Sequence, residues 1–241
     1  MVINRTNTKT ILTLICIAGL FSLLLISCAK EPTNINTNPP VAAVSVTQAT
    51  PDLAPINILI DNTQINQNTV NYGETSGYIT LTTGTGSIVF YNAVNLKQIL
   101  ADTINFVQNT SYSAFLVNAT TSKPAVFLLT DTLNKPAAGN AAIRFINLSP
   151  DAPAVDLVEK GGPVLVSNRS FEGYSSFAPI PGNTTYTFEV HQAGTSTVLA
   201  STNVKLNPAF IYTIWFHGLA AGTTSADKLS VDVITNTYFI N

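Results

Sequence analysis

A Thr50-Pro51-Asp52 turn returns as Ser149-Pro150-Asp151, 99 residues further along the chain, and the same spacing relates Ile56 to Val155, Tyr72 to Phe171 and Tyr78 to Phe177. One-residue slips carry the register onward: Gly84 meets Gly182, and Tyr112-Ser-Ala-Phe-Leu116 meets Tyr212-Thr-Ile-Trp-Phe216. An internal repeat restricts the fold to two similar units. A period near one hundred residues is the size of an immunoglobulin-like sandwich and is too long for a solenoid turn.

Within the first unit, short alternating segments follow one another: Val41 to Thr47, Ile56 to Ile60, Gly77 to Leu81, Ser87 to Tyr91, Ile99 to Phe106, Ser111 to Asn118 and Ala125 to Leu129. Spacing of that kind, broken by turn residues, reads as an all-β sandwich. Composition agrees, because the chain holds 32 Thr and 24 Asn against only 10% charged residues; Thr favours strands and Asn favours turns. The expected fold is two tandem immunoglobulin-like antiparallel β-sandwiches. The first occupies residues 41–131 and the second 140–241, with a linker at 132–139 where the pattern stops in Leu133-Asn-Lys-Pro-Ala-Ala-Gly-Asn140. The stretch from Val231 to Asn241 reads as a last strand or an edge extension.

The first 27 residues belong to neither unit. Arg5 and Lys9 precede an apolar run from Ile11 to Ile26, followed by Ser27-Cys28. A basic start before an apolar segment is an export signal, and a small residue directly before a cysteine resembles the lipobox of bacterial signal peptidase II. The resemblance implies cleavage before Cys28 and a diacylglyceryl thioether on its sulfur. Residues 28–40 then read as a lipidated flexible tether ending in Pro39-Pro40. More than one acyl chain gives stable membrane anchoring. The expected address is the cell envelope, at the outer membrane of a Gram-negative, Bacteroidota-like bacterium, on its surface or its periplasmic face.

The run Ala142-Ile-Arg-Phe-Ile-Asn-Leu-Ser149-Pro150-Asp151-Ala152-Pro153-Ala-Val-Asp156, then Phe171 to Phe177, then Tyr212-Thr-Ile, resembles a bacterial envelope family, domain of unknown function 4397. These segments look like its opening strand and turn, its central aromatic segment and its late strand. The resemblance is carried mainly by the second half, and the first half replaces Ala152-Pro153-Ala154 with Leu53-Ala54-Pro55. It implies an exported β-sandwich and brings no catalytic residues with it.

Without the leader the chain carries 9 basic and 13 acidic side chains. The few cations are scattered, so no basic stripe is present to release counterions from nucleic acid. Cys16 leaves with the signal and Cys28 is acylated, so no thiol remains for a disulfide, for zinc beside His191 and His217, or for cysteine catalysis. No metal and no cofactor is expected. A serine elbow is lacking, and Ser175 and Ser176 fall in a Tyr-Ser-Ser-Phe segment that reads as strand.

Asp151 and Asp156 are candidate ligand contacts in a proline-bounded loop, although Asp at such positions also closes turns. Asn57 replaces the second of them in the first unit, which weakens a calcium cage. Trp215 is the third candidate: on an open strand face it would stack on a sugar or partner side chain, and otherwise it fills a core or the seam between units. Tyr112 and Tyr212 open equivalent late strands and match a tyrosine corner. Asp102-Thr103-Ile104 and Asp131-Thr132-Leu133 resemble Bacteroidota O-glycosylation sites, making Thr103 and Thr132 candidate acceptors. The functional expectation is a non-catalytic binding, adhesion or structural module for a protein or glycan partner. The alternative is a carbohydrate-processing accessory protein or a hydrolase that uses loop carboxylates; a hydrolase requires an enclosed pocket with two facing acids.

Overall fold

The computed structural model describes residues 39–118 and 123–240, and Cys28 with its leader lies outside them. The described residues form sixteen strands and no helix. In the first half, β4 (Thr75–Thr82), β1 (Val41–Gln48), β7 (Ser111–Asn118) and β8 (Pro124–Asp131) form one sheet in that order. Its partner sheet runs β3 (Thr63–Gln64), β2 (Ile56–Ile60), β5 (Gly84–Asn92), β6 (Gln98–Phe106). The second half repeats both orders. One sheet is β12 (Ala178–Pro181), β9 (Asn140–Asn147), β15 (Phe210–His217), β16 (Ser230–Tyr238), and the other is β11 (Val164–Arg169), β10 (Val155–Glu159), β13 (Thr184–Gln192), β14 (Val198–Leu206).

Each half is a sandwich with its own core. Val44, Ile58, Phe90 and Leu116 anchor the first, and Phe145, Leu157, Phe188 and Ile214 the second. The expected all-β double sandwich is therefore present, with two corrections. The sheets are not purely antiparallel, because β1 pairs parallel with β7 and β9 pairs parallel with β15. The chain crosses to the opposite sheet between these strands, so no tight hairpin constrains their direction. The Tyr174–Phe177 segment is also not a strand: Tyr174 makes a single bridge to Ile146, and β12 begins only at Ala178. The closing stretch forms β16, which is both the last strand and a sheet edge.

Both predicted tyrosine corners are formed. The Tyr112 hydroxyl accepts from the backbone N–H of Val107 at 3.0 Å and that of Tyr212 from Asn207 at 3.1 Å, each five residues upstream. Each closes the loop that enters the late strand. Tyr212→Phe should therefore lose about 1 kcal/mol, the net worth of one such bond, and Tyr112→Phe the same. Urea unfolding of the two variants measures this, and midpoints equal to that of the parent would contradict it.

Strands β1, β7, β9 and β15 are buried on both faces. Alternate residues of β7 divide between two clusters: Tyr112, Ala114 and Leu116 enter the first core, whereas Phe115 and Val117 join a third cluster with Ala49, Leu129, Ile146, Leu148 and Trp215. Strand β15 does likewise, sending Tyr212, Ile214 and Phe216 inward and Trp215 outward. The molecule is thus four sheets deep. Its two middle sheets meet across a seam, and strands covered on both sides carry near-continuous apolar runs for that reason.

Candidate binding cleft at the inter-sheet seam

The seam holds a closed polar ring. The Arg144 guanidinium, 3% exposed, donates through Nη1 to Asp131 Oδ1 at 2.5 Å, through Nη2 to Ser113 Oγ at 2.7 Å and through Nε to Thr213 Oγ1 at 2.8 Å. Thr213 donates onward to Asn236 Oδ1 at 2.7 Å, and the Asn236 amide donates to the Tyr78 hydroxyl at 3.2 Å. Tyr78 and Ser113 then both donate to Asp131 Oδ2, closing a ring. Every hydroxyl in it spends its one proton and receives another. Such full satisfaction is what a buried charge requires. Burial and the Asp131 carboxylate push the Tyr78 phenol upward, so it stays a donor. Phe177 lies under the guanidinium at 4.6 Å.

One end of the seam is polar and open. Tyr72, from the turn before β4, directs its hydroxyl to His217 Nδ1 at 2.5 Å, and His217 Nε2 lies 2.9 Å from Asp232 Oδ2. The bond from His217 lowers the Asp232 carboxyl, and burial raises the Tyr72 phenol. The ionised Asp232 accepts from His217 Nε2–H, and the Tyr72 hydroxyl faces Nδ1. Trp215 stacks on His217 with ring centroids 3.8 Å apart. Beside this trio a cleft of about 1090 Å³ opens between the segment Ile65–Ile79 and β16. The edge strands β4 and β16 form its two sides, with Trp215 in its floor. Its walls carry the amides of Asn66, Gln67 and Asn68 and the hydroxyls of Thr75 and Ser76, and no lysine or arginine lines it.

Two carboxylates, Glu74 and Asp232, also line this cleft. Backbone and side-chain N–H groups of Asn71 bond Glu74 Oε2 at 3.0 and 2.8 Å and lower its carboxyl. Both acids are therefore held in the charged form, whereas a glycosidase needs one of its pair raised to act as general acid.

The candidate contacts read from sequence lie elsewhere. Asp151 accepts the backbone N–H groups of Ala220 at 2.7 Å and Ala221 at 3.1 Å, tying down the β15–β16 loop. Asp156 accepts those of Asn168 at 2.7 Å and Gly194 at 2.9 Å. Both oxygens of each carboxylate are engaged in closing loops, and among the described residues no group of three or more potential metal ligands occurs. Trp215 is not on an open face. The second sandwich covers its strand from one side and the first sandwich from the other, so it fills the seam. Thr103 and Thr132 are exposed, but Asp131, which precedes Thr132, is consumed by the ring. Sequence reasoning missed Arg144, Asp131, Tyr78 and Tyr72; an arginine in the midst of Ala142-Ile-Arg-Phe-Ile was the available signal.

With the geometry in place, comparison with known proteins gives one family. Residues 42–158 match the domain of unknown function DUF4397. That is just under half of the chain, running from β1 into β10, so the match covers the first sandwich and also the run from Ala142 to Asp156 that opens the second. No curated protein matches. Three solved structures are similar at a TM-score of 0.25 each. CBMbc (family CBM26) from Eubacterium rectale Amy13K, in complex with maltoheptaose, is 10% identical over 81% of this chain and 95% of that one. The Bacillus anthracis TIE protein is 12% identical over 81% and 44%. A streptococcal virulence factor, described for alpha-glucan binding, is 12% identical over 83% and 99%. At these values the likenesses carry no functional argument.

Proposed function

We propose that this protein is a lipid-anchored, non-catalytic module of the bacterial cell envelope, made of two copies of one sandwich unit, that binds a ligand in the open cleft of its seam. The cleft carries the reading: it is large, polar and set between two sandwiches packed into one platform. Rigid sandwiches presenting edges and loops are suited to recognition. Matching strand orders and tyrosine corners in the two halves support the two-copy reading. The engaged state of Glu74 and Asp232 supports binding over hydrolysis.

Two experiments test this. Cys28→Ala should move the protein from the membrane to the soluble fraction and remove the acyl mass; a variant that stays membrane-bound would sink the anchor. The mature protein, incubated with neutral polysaccharides between acid and neutral pH, should release no new reducing ends beyond the blank. Release that vanishes in Asp232→Asn would instead make it an enzyme.

A further inference from the structure

The two halves offer an internal control on what the seam needs. The backbone N–H of Gly73 donates to Gln48 O at 2.9 Å, and that of Glu172 donates to Asn147 O at 2.8 Å, so Tyr72 and Phe171 hold equivalent places. Cross-strand register equates the others: Trp215 faces Asp232 as Phe115 faces Phe127, and Thr75 pairs with β1 where Tyr174 bridges to β9. At the second end Phe171, Val117 and Phe127 therefore stand where Tyr72, His217 and Asp232 stand at the first. Tyr174 closes that end by packing edge-on against Phe127 at 6.1 Å. Apolar side chains can thus fill this geometry and shut it. The first end keeps a polar trio and an open cleft, with the small Thr75 where a tyrosine closes the other.

Trp215 lies beneath this cleft; it is fully buried, and its indole N–H has no acceptor among the described residues.

The lining specifies the ligand's chemistry. Two ionised carboxylates and the lack of any lysine or arginine exclude an anion. The exposed amides of Gln67 and Asn68 and the hydroxyl of Thr69 both donate and accept, and the carboxylates only accept. A purely cationic group has no acceptor to offer the amides. Neutral groups in which one oxygen both donates and accepts, repeated on adjacent carbons, are the vicinal hydroxyls of a sugar. Resting on the reading of this cleft as a binding site, we propose that it takes a neutral oligosaccharide. Drug-sized pockets run to about 1,000 Å³, so a cleft of about 1090 Å³ accommodates several sugar rings.

Trp215 is the only tryptophan, so its fluorescence reports on this site. The mature protein is titrated with maltoheptaose, cellohexaose and chitohexaose, with hexalysine and inositol hexakisphosphate as charged probes, by calorimetry and by tryptophan emission. At least one neutral oligosaccharide should bind saturably with a matching emission change. Thr75→Tyr, which copies the closed end, should weaken it about tenfold or more, the worth of one or two hydrogen bonds, with an unchanged far-ultraviolet spectrum. Thr69→Tyr, at an exposed lining position, provides a second block should Thr75→Tyr misfold. Binding of none of the sugars, sugar binding that leaves Trp215 emission unmoved, or affinity retained in a folded blocking variant overturns the proposal. Saturable binding of hexalysine alone also overturns the sugar assignment while leaving a binding cleft.

Discussion

Arg144→Met should cost the fold about 3–5 kcal/mol, because it leaves the Asp131 carboxylate buried without its counter-charge. Ser113 and Tyr78 would still donate to Asp131, but two hydroxyl bonds do not replace a guanidinium at 2.5 Å. Thr213 would also lose the donor at its oxygen. For a chain of this size each kcal/mol moves the melting midpoint by about 2–4 °C, so a fall of roughly 10 °C is expected by differential scanning calorimetry. Arg144→Met combined with Asp131→Leu should recover much of the loss, since apolar replacement of a whole buried pair is often neutral. A double variant no more stable than the single would show that the ring matters through its hydroxyls and not its charges.

Phe115→Ala should lose about 3–5 kcal/mol from the cavity it opens. Phe115 is 1% exposed and lies between Phe127, at 6.4 Å, and Trp215, at 6.5 Å, so the cavity falls between the sandwiches and not inside either. The parent should melt as one unit because the seam couples its halves. In the variant the calorimetric enthalpy should exceed the van't Hoff enthalpy, the signature of two transitions. Phe90→Ala, within the first core, should destabilise comparably without that split. Equal cooperativity in the two variants would mean that the halves unfold together for another reason.

Much of the sandwich was legible in the sequence because its information is local. Alternation marked Ile56 to Ile60 and Ser87 to Tyr91 as half-buried strands, and Tyr112 and Tyr212 marked the corners five residues from their partners. Asp151 and Asp156 stood as candidate ligand contacts with turn closure as the other reading, and each carboxylate accepts backbone N–H groups in closing loops. The seam was not legible, because its partners lie in different sheets: Asp131 and Arg144, near in sequence, meet across the two middle sheets, and Tyr72 meets His217 from the other half of the chain. An open face for Trp215 assumes solvent on one side of its strand. The run Phe210-Ile-Tyr-Thr-Ile-Trp-Phe-His217 holds few polar residues, which is the mark of a strand covered twice. The cleft arises where Thr75 holds the place that Tyr174 fills at the other end, and no single sequence position announces an empty volume.

The seam joins equivalent faces of two similarly built halves: Ser113 with Thr213, Asp131 with Asn236 and Phe115 with Trp215 hold matching places on β7, β8, β15 and β16. A self-complementary contact of this kind is what relates subunits in a two-fold dimer. Here it is enclosed within one polypeptide, so its two sides occur in fixed proportion and meet at a concentration set by a short connection and not by expression level. Covalent joining also frees the halves from identity. That freedom allows one end of an otherwise symmetric contact to be sealed with aromatics and the other to be left open, which two identical chains related by a two-fold axis could not do.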